Sequence, residues 1–198
     1  MVDHEELSAT FQEAYARKQA MKRGFWLTTF TKQKFYPLDV EHSVIDIRDI
    51  AHALSLTNRF SGHSPEAYSV AQHSLHVAEQ LPPDLQLWGL LHDAAEAYIC
   101  DLPYPVKGIP DMQGYRSLES TVQQAICKAF GLSYPKPRSV KDADLLLLRA
   151  EAKSFEMLDE TWDVYPLPDI GLKVVPRVAQ VVEAQFLQMF YRITTRGI

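Results

Sequence analysis

A histidine, an aspartate and a glutamate lie close together in the otherwise apolar stretch 90–101. No glycine or proline interrupts this stretch before Pro103, so it predicts a helix. On a helix, His92 and Glu96 are four positions apart and Asp93 and Glu96 are three apart, so all three project from neighbouring positions. Burying two carboxylates with an imidazole is costly unless a cation compensates them, which a metal ion does well. The alternative is a helix with a few exposed charges.

Two residues far away in the sequence could complete a metal site. His73 lies on a predicted helix whose same side carries Val70 and Val77, and Asp144 directly precedes the apolar run 145–148. An aspartate beside such a run is either a ligand or the partner of a base. Imidazole and carboxylate donors without thiolates suit Zn, Mn, Co, Fe, Ni or Mg, and the donor types alone do not choose among these divalent metals.

Four ordered blocks, at residues 68–74, 90–96, 101–107 and 140–144, resemble the HD superfamily of metal-dependent phosphohydrolases. The blocks are most similar to the branch that contains the bacterial 5′-deoxynucleotidases and the phage deoxynucleoside triphosphate triphosphohydrolases. The resemblance is collinear over residues 50–151, about half of the chain. It implies an all-α HD-domain helical bundle that holds a divalent metal ion.

The resemblance also implies roles for individual side chains. Glu96 matches the family's catalytic carboxylate, which handles the attacking water or the leaving-group proton. Asp101 matches an acidic residue that the deoxynucleotidases use near the sugar, the alternative being a cap before Leu102. A metal ion in such a site lowers the pKa of water and polarises the phosphoryl group. The metal ligands implied by the resemblance are His73, His92, Asp93 and Asp144.

Four residues are candidates for substrate contacts. Arg59 and Phe60 match a position where the family carries arginine followed by an aromatic residue, usually tryptophan in the deoxynucleotidases. An arginine fork suits phosphate, whereas Phe60 could stack on sugar or base without an indole donor. The alternative is a loop arginine beside a core phenylalanine. Lys107 and Lys141 could contact phosphate or could be solvated charges.

The leading functional hypothesis is a hydrolase that removes phosphate from a deoxynucleoside monophosphate by attack of water on phosphorus. Hydrolysis of a deoxynucleoside triphosphate with release of tripolyphosphate uses the same constellation of residues. Extra basic residues near the site, such as Lys107 and Lys141, would favour the longer phosphate tail without deciding the matter. The expected ligand in either case is a small-molecule nucleotide.

Three other functions are weaker hypotheses. A catalytically silent nucleotide-binding regulatory module is disfavoured because none of the residues that the family's chemistry requires is missing. A hydrolase of guanosine alarmones would carry Glu-Asp after the His-Asp pair, whereas Glu96 is followed by Ala97. A nuclease is disfavoured because the chain has no basic stripe and a formal net charge of -5.

The candidate ligands require helices that bring distant parts of the chain to one point. Apolar spacing predicts helices over 47–56, 64–81, 85–100, 112–130, from Ser139 onward, and over 177–193. The expected N-terminal caps are Asp46, Ser64 followed by Pro65, Asp84 and Ser139, and the expected C-terminal cap is Gly131. Residues 101–110 contain three prolines and a glycine, so an irregular loop is expected there.

The N-terminal part predicts a small addition to this bundle. Residues 3–21 have the spacing of an amphipathic helix, and the aromatic and β-branched stretches 24–31 and 35–38 could form a short hairpin. We therefore expect one domain over residues 1–198. Its core spans about 44–160, with the N-terminal helix and hairpin and a C-terminal helix as additions.

Composition is consistent with one cytoplasmic domain. A chain of 198 residues with 46% hydrophobic content can bury a substantial core. Cys100 and Cys127 are too few for a disulfide scaffold or a thiolate zinc site. No apolar run approaches a membrane span, and no secretory segment follows the start, so no membrane partner is expected. The resemblance allows a homodimer, with the aromatic stretch 25–30 as a candidate contact.

Overall fold

A computed structural model of the chain describes residues 11–17, 23–160 and 167–195. The predicted hairpin is present, with strand β1 (Leu27–Thr28) antiparallel to strand β2 (Lys34–Phe35) and Leu27 opposite Phe35. Residues 11–17 are helical, and the rest of the predicted helix 3–21 lies outside the described residues. The hairpin is a minor element, as expected from the sequence.

The remaining regular structure is helical, which confirms the all-α class. The helices are α1 (Ile47–Leu56), α2 (Val70–Glu79), α3 (Gln86–Leu91), α4 (Glu96–Ile99), α5 (Tyr104–Lys107), α6 (Gln113–Phe130), α7 (Arg138–Ser154) and α8 (Ala179–Thr195). No helix in the ranges that the structure describes is both long and apolar enough to cross a bilayer.

Two helix ends are formed by the residues expected to form them. The Asp46 side chain accepts a hydrogen bond from the Arg48 backbone N–H and caps α1. Gly131 ends α6 with φ of 70°, a left-handed conformation that glycine adopts without strain. These ends were predictable because each depends on a local residue preference.

The start of α2 differs from the prediction. The helix begins at Val70 and is capped by Ser69, not by Ser64 before Pro65. Before it, Asn58 and Ser69 form an isolated antiparallel bridge, in which the Arg59 N–H donates to the Tyr68 carbonyl at 2.8 Å and the Val70 N–H donates to the Thr57 carbonyl at 2.9 Å. A non-local pairing therefore takes the backbone groups that a longer helix would have used.

The predicted helix 85–100 is two short helices, α3 and α4, joined by a tight turn over 92–95. Here the backbone N–H groups of Ala94, Glu96, Ala97 and Tyr98 donate to carbonyls three residues earlier, at 3.0 Å from Glu96 to Asp93. Leu85 precedes α3 without a side-chain cap, so the predicted Asp84 cap is wrong. The turn tightens the chain at the residues proposed to do chemistry.

Three smaller boundaries also differ. The stretch 101–110, predicted as irregular, contains the single-turn helix α5, whose first turn holds Pro105. Helix α7 begins at Arg138 after Pro137 and has no side-chain cap, so Ser139 lies inside the helix. Helix α8 begins at Ala179, two residues later than predicted.

Helix α2 lies at the centre of the fold, where it packs against α1, α3, α7 and α8. The main core contains fully buried side chains from α1, α2, α3 and α8. Helices α2 and α3 approach closely at Gly89, where a Cβ would lie 2.8 Å from the Ala78 Cα. The central helix therefore carries its polar side chains into the middle of the bundle.

Candidate metal centre

Helix α2 carries His73, whose side chain is fully buried. Its Nε2 lies 3.0 Å from Oδ1 of Asp144, which comes from the second turn of α7. The His73 ring centroid lies 5.2 Å from that of His92. Three elements that are distant in sequence therefore meet at these three predicted ligands.

The tight turn between α3 and α4 supplies His92 and Asp93. The Nδ1 of His92 donates to the Gly89 carbonyl at 2.7 Å, because a carbonyl oxygen can only accept. This leaves Nε2, which lies 3.1 Å from Oδ2 of Asp93 and 3.8 Å from Oδ1 of Asp144. That buried Nε2 has no hydrogen-bond partner of good geometry among the described residues.

The donor atoms of His73, His92 and Asp93 all lie within 4.8 Å of one another, so this group could hold a metal ion. The nitrogen and oxygen donor set fits Zn, Mn, Co, Fe, Ni or Mg. The unpartnered Nε2 of His92 fits as well, since a buried polar nitrogen without a partner is costly unless a cation or another polar group satisfies it.

The electrostatics of the cluster favour bound positive charge. Burial lowers the pKa of His92, but the charge of Asp93 and the proximity of the Asp93 and Asp144 carboxylates outweigh burial and raise it to about 9. Burial raises the pKa of Asp93, but His92 outweighs it and holds the pKa far below its usual range. The Asp144 pKa is also held low, because His73 and His92 outweigh its burial. Both carboxylates are therefore ionised beside the imidazoles.

Glu96 begins α4 and is buried beside a lysine. Its Oε1 accepts from the Lys107 Nζ at 3.0 Å, whereas Oε2 has no hydrogen-bond partner among the residues described. Burial raises the pKa of Glu96 well above its usual range, and the charges of Asp93 and Asp101 add to the effect. Glu96 therefore combines a free carboxylate oxygen with a high affinity for a proton.

Lys107 is paired with carboxylates. Besides Glu96, its Nζ contacts Glu119 at 2.7 Å and Oδ1 of Asp101 at 4.0 Å. Burial lowers the pKa of Lys107, but Glu96 and Glu119 outweigh burial and raise it above its usual value. The structure therefore brings Asp101 and Lys107 to the Glu96 side of the cluster, with the lysine charge already compensated.

Arg59 begins the short 3₁₀ turn Arg59–Gly62, which precedes α2 in the chain. Its side chain reaches the cluster from this turn. Its Nη1 lies 3.8 Å from Oδ2 of Asp93. Phe60 follows with φ of 53° and packs edge-on against Phe155 at 6.2 Å between ring centroids. Lys141, by contrast, is exposed on the first turn of α7, one turn before Asp144.

Two residues that were not predicted from the sequence also act on this cluster. Glu151 is fully buried and accepts hydrogen bonds from His73, Arg59 and Tyr68. Its spacing of seven residues from Asp144, two turns of one helix, was the signal that could have identified it. The positive charge of Lys136, in the connection before α7, lowers the pKa values of both His92 and Asp93.

The fold and the cluster define a class of mostly helical proteins with a buried histidine–aspartate group able to hold a metal ion. No protein-family model matches the chain. It is 36% identical over 141 residues to the uncharacterized protein YfdR of Escherichia coli strain K12, which covers 70% of this chain and 78% of the relative. It is 35% identical over 153 residues to the uncharacterized protein RCAP_rcc00048 of Rhodobacter capsulatus, covering 71% of this chain and 77% of that relative. The chain belongs to the same protein family as these two bacterial proteins.

Proposed function

We propose that this protein is an HD-type metal-dependent phosphohydrolase that converts deoxynucleoside monophosphates to deoxynucleosides and phosphate. The observation that carries the proposal is the convergence of His73, His92 and Asp93 within 4.8 Å, with Asp144 against both histidines. All four are the ligands implied by the family resemblance. Exposed acidic groups often cluster without a metal, but here both imidazoles are buried.

The bound cation supplies Lewis acidity toward a phosphoryl oxygen and lowers the pKa of water. The ligands we propose are His73, His92, Asp93 and Asp144, a set of two imidazoles and two carboxylates. Since the ligands come from α2, the turn after α3, and α7, the packing of these three elements fixes their positions.

The remaining residues act on the substrate and on protons. Arg59 offers a guanidinium fork beside Asp93, suited to the non-bridging oxygens of a phosphate. Glu96 holds or releases a proton at its free Oε2, acting on the attacking water or the leaving 5′-oxygen. Asp101, whose Oδ1 lies 4.0 Å from the Lys107 Nζ on the Glu96 side, would accept a hydrogen bond from a sugar hydroxyl, as the family resemblance implies.

The charges near the cluster favour a monophosphate over a triphosphate substrate. A triphosphate tail requires several free cations, as Lys107 and Lys141 would have been. Of these two lysines, Lys107 is already paired with Glu119, which leaves only Lys141, exposed at the start of α7, as a free cation of the pair within the described part of the chain. Hydrolysis of triphosphates is therefore the second candidate. A silent binding module is third, since it would have no use for Glu96 with a free, buried oxygen.

The test is a hydrolysis panel with deoxynucleoside mono- and triphosphates and their ribonucleoside counterparts. Each substrate is incubated with Mn²⁺, Co²⁺, Zn²⁺, Ni²⁺ or Mg²⁺, and phosphate is measured separately from tripolyphosphate. We expect phosphate release from deoxynucleoside monophosphates, and loss of that activity in Asp93→Ala.

Four outcomes would change this assignment. Release of tripolyphosphate alone would make the triphosphate reaction the function. Absence of turnover with every metal would overturn the enzymatic proposal, as would turnover in Asp93→Ala equal to that of the wild type. Retained nucleotide binding without turnover would instead support the regulatory module.

A further inference from the structure

Glu151 on α7 is a fully buried carboxylate surrounded by three donors. Its Oε1 lies 2.5 Å from His73 Nδ1 and 2.8 Å from the Tyr68 hydroxyl. Its Oε2 accepts from Arg59 Nε at 3.1 Å. The Arg59 Nε–H can only donate, so the carboxylate accepts at Oε2 and bridges two residues of the candidate site.

The first bridge determines which nitrogen of His73 faces the other ligands. A carboxylate whose oxygens face a guanidinium N–H and a tyrosine hydroxyl acts as an acceptor, so the His73 nitrogen that contacts Glu151 carries the hydrogen. That nitrogen is Nδ1, and Nε2 lies on the opposite edge of the ring, 3.0 Å from Asp144. Ligating histidines commonly donate their second N–H to a carboxylate, which fixes the ring orientation and increases ligand basicity.

The second bridge orients Arg59. Glu151 accepts a hydrogen bond from the Arg59 Nε, and the Arg59 Nη1 lies 3.8 Å from Oδ2 of Asp93 at the cluster. The arginine side chain is 12% exposed, so few other orientations are open to it. One carboxylate therefore holds both a proposed metal ligand and the proposed phosphate-binding guanidinium, through different oxygens.

We propose that Glu151 is a positioning residue that sets the His73 tautomer through one oxygen and the Arg59 orientation through the other. This inference rests on the proposed function, because it assigns His73 to the metal and Arg59 to the phosphate. Glu151 itself touches neither the metal nor the substrate.

The roles of the two Glu151 oxygens can be tested separately with one isosteric substitution. In Glu151→Gln the amide oxygen still accepts from His73 and Tyr68, but the amide N–H₂ faces the Arg59 donor. We expect Mn²⁺ affinity, measured by calorimetry on the full chain, to stay near the wild-type value. The KM for a deoxynucleoside monophosphate should rise by about 10-fold or more with a smaller change in kcat. The reason is that the lost phosphate contact stabilises the bound substrate and the transition state equally.

Glu151→Leu removes both bridges. Loss of an outer-shell partner typically weakens metal binding by about 10–100-fold, so Mn²⁺ affinity should fall by that amount in this variant. Tyr68→Phe is the matched control, because it removes one hydrogen bond from the same carboxylate and leaves the charge in place. Mn²⁺ affinity and KM in Tyr68→Phe should both resemble those of the wild type.

A readout independent of turnover is long-range ¹H–¹⁵N NMR of the His73 ring in the Zn²⁺-loaded protein. We expect protonation at Nδ1 in the wild type, in Glu151→Gln and in Tyr68→Phe. Circular dichroism identifies a variant that does not fold. If Glu151→Leu does not fold, Glu151→Gln together with the NMR measurement still decides the proposal.

The outcomes separate this proposal from the proposed function. If the wild type binds Mn²⁺ and turns over substrate, but Glu151→Gln leaves KM unchanged, the arginine role is overturned. Wild-type metal affinity in a folded Glu151→Leu, or an Nδ1 without hydrogen in the wild type, would overturn the histidine role. Absence of metal binding by the wild type would overturn the proposed function and this inference together.

Discussion

The two ring nitrogens of His92 differ in a way that prepares the side chain to bind a cation. Nδ1 is committed to the Gly89 carbonyl, so a neutral ring carries its lone pair on Nε2. Nε2 is buried beside two carboxylates without a hydrogen bond of its own. A metal ion satisfies this nitrogen and compensates both carboxylates at once, which no single protein donor in the cluster does.

Glu96→Gln tests the proton-handling role of this carboxylate. The amide keeps the side-chain volume but cannot exchange a proton, so kcat should fall by about 10²–10⁴-fold. Mn²⁺ affinity should change little, since Glu96 is not one of the proposed ligands. Steady-state kinetics and calorimetry on the same preparation measure both quantities.

Glu119→Gln is the matched control for this experiment. Glu119 bonds the same Lys107 Nζ, at 2.7 Å, but it lies on α6 rather than in the cluster. Its replacement perturbs the lysine without removing a carboxylate from the site, so kcat should stay within a few-fold of the wild type. If kcat falls equally in Glu96→Gln and Glu119→Gln, the pairing of Lys107, and not proton transfer by Glu96, controls the rate.

The candidate ligands can be recognised in the sequence because they are unusual in their local context. His92, Asp93 and Asp144 stand out as polar side chains beside apolar runs, and the structure brings them together with His73. Glu151 was missed because its partners, His73 and Arg59, are 78 and 92 residues away in the sequence. Burial, which distinguishes it from a surface glutamate, depends on tertiary packing that spacing alone does not specify.

At the scale of elements, local signals predicted the helices but not the points where tertiary contacts interrupt them. Helix α1 has the predicted bounds because its cap and its apolar stripe agree. The stretch 85–100 has equally helical residues, yet it tightens into a turn at His92–Ala95. The turn changes the relation of His92 to Glu96, and nothing in residue propensity encodes it.

Asp46→Ala should destabilise the fold through α1. Loss of an N-terminal cap costs about 1 kcal/mol, measured as the free energy of unfolding in urea at pH 7. The hydrogen bond from the Arg48 side chain lowers the pKa of Asp46 below its ordinary value of 3.8. A lowered pKa in the folded state means that the ionised group adds stability above about pH 4 and loses that contribution as the pH falls further.

Asp46→Asn is the control for the charge, since asparagine caps a helix nearly as well as aspartate but does not titrate. The stability difference between the wild type and Asp46→Asn should therefore narrow as the pH falls below about 4. A difference that stays constant from pH 7 to pH 3 would contradict the assigned pKa shift.

Gly89→Ala should damage both the packing and the site. The new Cβ would meet the Leu81 Cδ1 at 2.6 Å and the Ala78 backbone at 2.8 Å, so α3 must move away from α2. Overpacking of this kind costs about 1–3 kcal/mol. Because the Gly89 carbonyl also orients His92, a displacement near 1 Å should reduce turnover by about 10²-fold.

Gly114→Ala is the matched substitution for this test. A Cβ at Gly114, on α6, meets nothing within 4 Å, so the change should be neutral or stabilise the chain by about 0.5 kcal/mol. Thermal unfolding and kcat measured side by side distinguish the two variants. Equal melting temperatures and equal kcat values in Gly89→Ala and Gly114→Ala would contradict the close approach of α2 and α3.

At the scale of the whole molecule, the candidate metal ligands come from elements that do not all belong to the main hydrophobic core. Helix α2 contributes His73, the turn after α3 contributes His92 and Asp93, and α7 contributes Asp144. The main core packs α2 against α1, α3 and α8, whereas Val140, Ala143 and Leu147 of α7 belong to a smaller buried cluster. Since Val77 of α2 and Trp88 of α3 also belong to this smaller cluster, a metal ion at the site would add to the packing that already holds α7 against α2 and α3.

Divalent metal should accordingly raise the melting temperature. A ligand that binds only the folded state at 100 times its Kd adds about 2.7 kcal/mol to stability. For a chain of this length that corresponds to a rise in Tm of about 5–10 °C, measured by scanning calorimetry with and without MnCl₂. EDTA should remove the rise. Asp93→Asn should show little or none of it, because one ligand charge is gone, and a rise equal to that of the wild type would place the bound Mn²⁺ outside this cluster.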